Sequence, residues 1–186
     1  MQKMKSEFEM AVEGLLRGEG IRYAFEQSSF PLRVKEKDIT YTPDFSMLDI
    51  VLNGRKPLLE LHPEIGRKGN QFDDRWIEKM VAFRHSEFAL PHHLILVTDI
   101  DPVRLMYLMR NRSLSLLELC DEIWFKIEAG QKFPRNGMTA DIGKQIRVKT
   151  YNGTDRLRGL IMSLKFRDEL RGGGENGQVG DTAEPA

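Results

Sequence analysis

The chain has 186 residues, 40% of them hydrophobic and 30% charged, which suits one globular domain large enough to bury a core. Its formal net charge is zero, so overall charge does not select a polyanionic partner, and its single cysteine, Cys120, excludes an internal disulfide framework and suits a reducing cytoplasm. No signal peptide is recognisable, and no apolar run reaches the roughly 18–20 residues of a membrane span, so the expectation is a cytoplasmic protein without a membrane partner.

Taken in order, Ser6 to Arg17 reads as a helix: Phe8, Val12, Leu15 and Leu16 share a face, Ser6 and Glu9 form a capping-box pattern, and Gly18 and Gly20 stop it. "IRYAFEQ" and "DITYTPDFSML" alternate as strands, with "KEKD" as a solvated turn between them. A hairpin follows, turning at Asn53-Gly54 and running to Pro63, and "GRKGNQ" is a loop. Asp73 to Phe88 is a helix with Trp76, Met80 and Phe83 on its core side, and "HHLILVTD" is a buried strand. Short helices near Val103 to Arg110 and Ser115 to Asp121, the strand "EIWFKI", a strand at Gln145 to Thr150 and a helix from Asp155 to about Leu170 complete residues 1–171 as one domain. The Gly-rich, acidic run 172–186 reads as a disordered tail. The element order predicts an α/β fold, a mixed sheet flanked by helices.

The hairpin carries the chemistry. A two-residue turn on Asn53-Gly54 pairs Leu52 with Arg55 and sets Asp44 and Glu60 on opposite sides of the sheet. A three-residue loop pairs Val51 with Arg55, puts Asp44 across from His62, and leaves Glu60 on that same face across from Ser46. A one-residue slip flips every side chain, so the apolar pattern decides. The three-residue loop gathers Tyr41, Phe45, Met47, Val51, Leu59 and Leu61 on one face, and is the register expected here. The other face then ends in two carboxylates and an imidazole, and semi-buried carboxylates need a neutralising partner. A hard divalent cation is the simplest one, with Glu9 at the edge of the helix's apolar face as an additional ligand.

Each residue also has a plainer role. Asp44 after Pro43 can punctuate a strand edge, Glu60 can face solvent, Glu9 can serve the capping box alone, and His62 can simply end a strand. His85, His92 and His93 match no common zinc spacing, and Cys120 reads as a buried small hydrophobe. Between Gln131 and Arg171, ten basic residues stand against four acidic ones, which is either a solvated surface or a phosphate-backbone track.

Pro43-Asp44 followed after fifteen residues by Glu60-Leu61-His62, behind a helix with a glutamate, a glycine turn and a strand, resembles the PD-(D/E)XK nuclease superfamily and the amino-terminal part of its TnsA-like members. The resemblance covers roughly Ser6 to Thr98. It implies a restriction-endonuclease-like core of order αβββαβ with additional carboxy-terminal helices, and a metal-dependent DNA endonuclease using Mg²⁺ or Mn²⁺. By position, Asp44 and Glu60 are the implied metal carboxylates, the Leu61 carbonyl and Glu9 the further ligands, and His62 stands where the family has lysine. Lys79 and Gln71 are candidates for a lysine-like role from the following helix. Lys144, Arg147, Lys149, Arg156 and Arg158 are the residues expected to hold DNA. A homodimer and a targeting protein partner are compatible with the family. The alternative is a catalytically inactive DNA- or partner-binding module on the same fold.

Overall fold

The computed structural model describes residues 6–62, 74–130 and 146–172. The elements are α1 (Glu7–Gly18), β1 (Tyr23–Phe25), β2 (Phe30–Val34), β3 (Lys37–Tyr41), β4 (Phe45–Met47), β5 (Lys56–Leu61), α2 (Asp74–Arg84), β6 (His92–Thr98), α3 (Pro102–Asn111), β7 (Glu122–Lys126), β8 (Arg147–Tyr151) and α4 (Gly153–Gly172). Single 3₁₀ turns lie at Glu87–Ala89 and Leu116–Glu118, the second where a short helix is expected. Gln71, Lys144, the "GRKGNQ" loop and the tail beyond Gly172 lie outside the described residues. Among the described residues no helix is long and apolar enough to cross a membrane.

The fold is α/β, with a six-stranded mixed sheet in the order β1-β4-β5-β6-β7-β8 and a two-stranded sheet of β2 and β3. β4 runs antiparallel to β1 and β5, and β5 through β8 are parallel to one another. The parallel strands read as unbroken apolar runs because helices cover both faces: every residue from His93 to Thr98 in β6 is buried. Leu58, Leu94, Leu96, Ile123 and Phe125 pack towards α2, α3 and the β2–β3 hairpin. Phe45, Met47, Leu59, Leu61, Ile95, Val97 and Trp124 pack towards α1 and α4. The capping box of α1 forms as expected, Glu9 N–H donating to Ser6 Oγ at 3.2 Å while the Glu9 carboxylate accepts from the Ser6 amide. Asp101 caps α3 by accepting from the Arg104 amide at 3.0 Å, with Pro102 at the first helical position.

The hairpin corrects the expected loop. Leu52 and Arg55 exchange both backbone hydrogen bonds, and Asn53 and Gly54 have φ of 55° and 76°, which is the two-residue turn. Further along, however, Phe45 pairs with Leu59 and Ser46 with Leu58. Six residues separate Ser46 from Leu52 while three separate Arg55 from Leu58, so the first strand carries an excess of three residues. An odd excess reverses the parity that the turn alone would give. Asp44 and Glu60 therefore share a face, and continuing the register by one step sets them opposite each other. Two members of the expected core face move: Val51 is exposed, and Tyr41 packs on the opposite side of the sheet from Phe45. Ile50 packs on the same side as Phe45. Pairing of β3 with β2, a strand not anticipated, explains Tyr41's position.

At the other end of the parallel strands, Glu122 is wholly buried and accepts from Trp124 Nε1 at 2.7 Å and Arg167 at 2.8 Å, with His93 Nε2 at 3.4 Å and Lys149 Nζ at 3.8 Å. Burial pushes its carboxyl up, but the bonds from His93, Trp124 and Arg167 outweigh that and hold it at about 2. This network fixes α4 on the sheet. Removing one partner strands the others, so Glu122→Ala is expected to cost about 3–5 kcal/mol in guanidinium unfolding. A loss below about 1 kcal/mol would show that Arg167 and Lys149 reach solvent without it.

Candidate metal centre

Asp44 stands between β3 and β4, and its Oδ2 accepts the Leu61 amide at 2.6 Å. The carboxylate is thereby tied to the carboxy-terminal end of β5. The backbone then adds a neighbour: Glu26, just past β1, donates its amide to the Asp44 carbonyl oxygen at 3.0 Å. Glu26 holds φ at 47°, uncommon for a residue with a Cβ. Glu9 approaches from the first turn of α1. Glu9, Glu26 and Asp44 each offer a carboxylate oxygen, all within 4.8 Å of one another.

Three anionic groups at this separation repel unless a proton or cation intervenes. Burial, then the charge of Glu60, pushes the Asp44 carboxyl up to about 8; the Leu61 amide opposes the rise, and Glu9 and Glu26 add to it. An all-oxygen set of three carboxylates suits Mg²⁺ or Mn²⁺, so the donors present fit the cation implied by the sequence.

Glu60 has a different position. Its Oε2 accepts the Tyr41 hydroxyl at 3.0 Å and its Oε1 accepts the Trp76 indole N–H at 2.8 Å, all three residues being buried. Burial, then Glu60's charge, pushes the Tyr41 phenol well up, so it stays a donor. Glu60 is not in the convergent set. It shapes that set by its charge on Asp44, while its own oxygens tie β3, β5 and α2 together. The plainer reading of a solvent-facing Glu60 does not hold.

His62 is buried, its ring stacked on Trp76 with centroids 4.0 Å apart and planes 7° off parallel. Its amide donates to Val97 O at 2.9 Å and its carbonyl accepts the Thr98 hydroxyl at 2.6 Å, fixing the backbone. For Leu61, the link to Asp44 runs through the amide. Lys79 Nζ lies 5.5 Å from the centre of the Tyr41 ring. Cys120 is buried as expected, and burial pushes its thiol up.

Of the residues expected to hold DNA, Arg147, Lys149, Arg156 and Arg158 lie among the described residues. Lys149 donates to Ser163 at 2.9 Å and faces Glu122, and Arg158 bonds Glu19 at 2.5 Å, so both are engaged within the fold. Arg147 opens β8 at the edge opposite the acidic set, whereas Arg156, in the first turn of α4, shares the acidic set's edge.

Sequence reasoning missed Glu26, Tyr41 and Trp76 Nε1 as parts of this site. Trp76 carried a usable signal, since a buried indole N–H needs an acceptor and Glu60 is an acid set among leucines. Glu26 carried none, because nothing in "YAFEQ" announces a left-handed residue.

No protein-family model matches the chain, and no curated protein matches it. Among solved structures, protein VC1899 from Vibrio cholerae is similar with a TM-score of 0.38 and 12% identity, over 90% of this chain and 33% of that one. The chain thus spans about a third of that structure's length.

Because Asp44 holds its proton up to about 8 in the folded state, while an unfolded aspartate releases it near 3.8, folding takes up a proton between those values. Metal-free stability is therefore expected to fall as pH rises through that window. Mn²⁺ should raise the melting temperature more at about pH 8 than at about pH 5, since it competes with that proton. Melts of the wild type and Asp44→Asn across this range check it; the variant should lose this part of the pH slope and the Mn²⁺ response together.

Proposed function

We propose that the chain is a divalent-metal-dependent phosphodiesterase acting on DNA, built on a restriction-endonuclease-like core. The convergence of Glu9, Glu26 and Asp44 carries this reading: three carboxylate oxygens lie within 4.8 Å of one another, and the Asp44 carboxyl is pushed up to about 8. The mixed sheet supports it, since Asp44 and Glu60 sit at the junction of its antiparallel and parallel halves. DNA as the substrate rests on the sequence resemblance.

A bound Mg²⁺ or Mn²⁺ supplies Lewis-acid chemistry, activating water as the nucleophile and offsetting charge that builds on the phosphoryl oxygens. Asp44, Glu26 and Glu9 hold the cation. The Leu61 amide fixes one Asp44 oxygen and so orients the carboxylate. Glu60, held by Tyr41 and Trp76, adds to the upward push on the Asp44 carboxyl. His62, at the position of the family's lysine and stacked on Trp76, would orient the attacking water or accept its proton.

A second reading, a binding module without turnover, draws on the same residues. Both Glu60 oxygens already accept protein donors, and the imidazole at the lysine position is packed against an indole.

Cleavage of labelled duplex, single-stranded and branched DNA with Mg²⁺ or Mn²⁺ separates the two. Asp44→Asn is a cleaner probe than Glu60→Gln, because an asparagine oxygen can still accept the Leu61 amide, whereas a glutamine must turn its NH₂ towards Tyr41 or Trp76. The wild type is expected to cleave, and Asp44→Asn to lose roughly 100-fold or more. Binding without cleavage by the wild type on every substrate selects the second reading.

A further inference from the structure

At the amino-terminal edge of the parallel strands, opposite the acidic set, two networks of charged side chains meet at one histidine. His93, the second residue of β6, is only 6% exposed. Its Nδ1 lies 3.2 Å from Nη2 of Arg55, the residue that closes the β4–β5 turn, and its Nε2 lies 3.4 Å from Glu122 Oε2 at the start of β7. Arg55 also donates to the His92 carbonyl at 3.1 Å and to Asp121 Oδ1 at 3.1 and 3.2 Å. Asp121 in turn accepts from Arg84 of α2 and from the Leu94 amide. On the other side, Glu122 accepts from Arg167 of α4 at 2.8 Å and has Lys149 of β8 at 3.8 Å.

Donors and acceptors fix the state of this ring. A guanidinium offers N–H groups only, so Nδ1 accepts, and the hydrogen of the neutral imidazole sits on Nε2, towards Glu122. Glu122, held at about 2, remains an acceptor wherever imidazoles titrate. A second proton can enter only at Nδ1. There it meets the Arg55 N–H, donor against donor and cation against cation, while the bond from Nε2 to Glu122 becomes charge-assisted and stronger. Among the described residues the charged groups at this edge are four cations, Arg55, Arg84, Lys149 and Arg167, and two acids, Asp121 and Glu122, so a further positive charge displaces the nearest cation. The neighbouring His92 behaves differently. Its Nδ1 is 2.6 Å from the Phe88 carbonyl, which can only accept, so that nitrogen carries its hydrogen in both states and protonation leaves the bond in place.

We propose that His93 is a proton-operated latch on the β4–β5 turn: the neutral ring holds Arg55 against the sheet, and the protonated ring releases Arg55 and keeps Glu122. Arg55 has somewhere to go, since its side chain is already 29% exposed, and Asp121 can follow it as partner. The turn that Arg55 anchors is closed by two backbone bonds, Leu52 N–H to Arg55 O at 2.8 Å and Arg55 N–H to Leu52 O at 2.9 Å. Acidification therefore loosens the turn while the Glu122 network that fixes α4 stays closed. The latch lies at the far end of β5 from Asp44 and does not depend on what the acidic set binds.

The test reads the ring and the turn separately in the full chain, between about pH 7.5 and about pH 5.5, either side of the ordinary imidazole value. Long-range proton–nitrogen NMR is expected to show His93 as the Nε2–H tautomer at the higher pH and doubly protonated at the lower. Over the same step the Leu52 and Arg55 amides are expected to lose about 3–10-fold of their protection from hydrogen exchange, after correction for the intrinsic pH dependence, which is the range set by one hydrogen bond. His93→Gln offers Arg55 a carbonyl oxygen and Glu122 an NH₂ group without titrating, so its turn should be equally protected at both pH values. Asp44 and the other histidines are common to both proteins and drop out of the difference. An Nδ1–H tautomer at the higher pH, a ring still neutral at the lower, a protonated ring with the Arg55 amide still protected, or an equal loss of protection in His93→Gln overturns the proposal. The first three are read on the wild type alone, so a glutamine variant that folds poorly leaves the latch open to refutation.

Discussion

The burial of Asp44 beside Glu60 at the end of the β4–β5 ladder is the constraint on which the rest of the site depends. Two like charges on adjacent strands are unfavourable in a poorly solvated place, and the fold resolves them differently. Glu60 receives two neutral donors, Tyr41 and Trp76, from separate elements, and so becomes a structural anchor. Asp44 accepts the Leu61 amide, and its carboxyl is pushed up to about 8. The unequal treatment of two neighbouring acids leaves one as the anchor and the other with its carboxyl pushed up.

The same asymmetry explains the surrounding architecture. Trp76 brings α2 against the sheet to donate to Glu60, and its indole face then supports His62. Tyr41 reaches Glu60 because β3 leaves the main sheet to pair with β2. Glu26 adopts a left-handed backbone and hydrogen-bonds the Asp44 carbonyl, adding a third carboxylate beside Glu9. At the opposite edge, Glu122 shows the other outcome for a buried acid: supplied with Arg167, Trp124 and His93, it is held at about 2.

Much of the fold was legible because its signals are local. The capping box at Ser6 and Glu9 and the continuous apolar run of β6 each have one structural solution at short range. The sharing of a face by Asp44 and Glu60 was reached from the correct apolar logic but the wrong turn: Asn53-Gly54 does make the two-residue turn, and the excess of three residues that restores the parity has no distinctive sequence mark. The turn read at "KEKD" does form, with Lys35 and Glu36 at positive φ, but the strand before it, β2 (Phe30–Val34), was not read. Long-range partners were hardest to read. Lys149 and Arg158 pair with Glu122 and Glu19, far from them in sequence.

The most direct test of a cation site at Asp44 is anomalous diffraction from a crystal of the full chain grown with Mn²⁺, because it reports position rather than activity. The expected result is a peak within ligand distance, roughly 2.0–2.6 Å, of oxygens from Glu9, Glu26 and Asp44, absent from Asp44→Asn crystals grown the same way. An empty acidic set with Mn²⁺ bound elsewhere, or the three carboxylates sharing protons with no ion between them at saturating Mn²⁺, would contradict it.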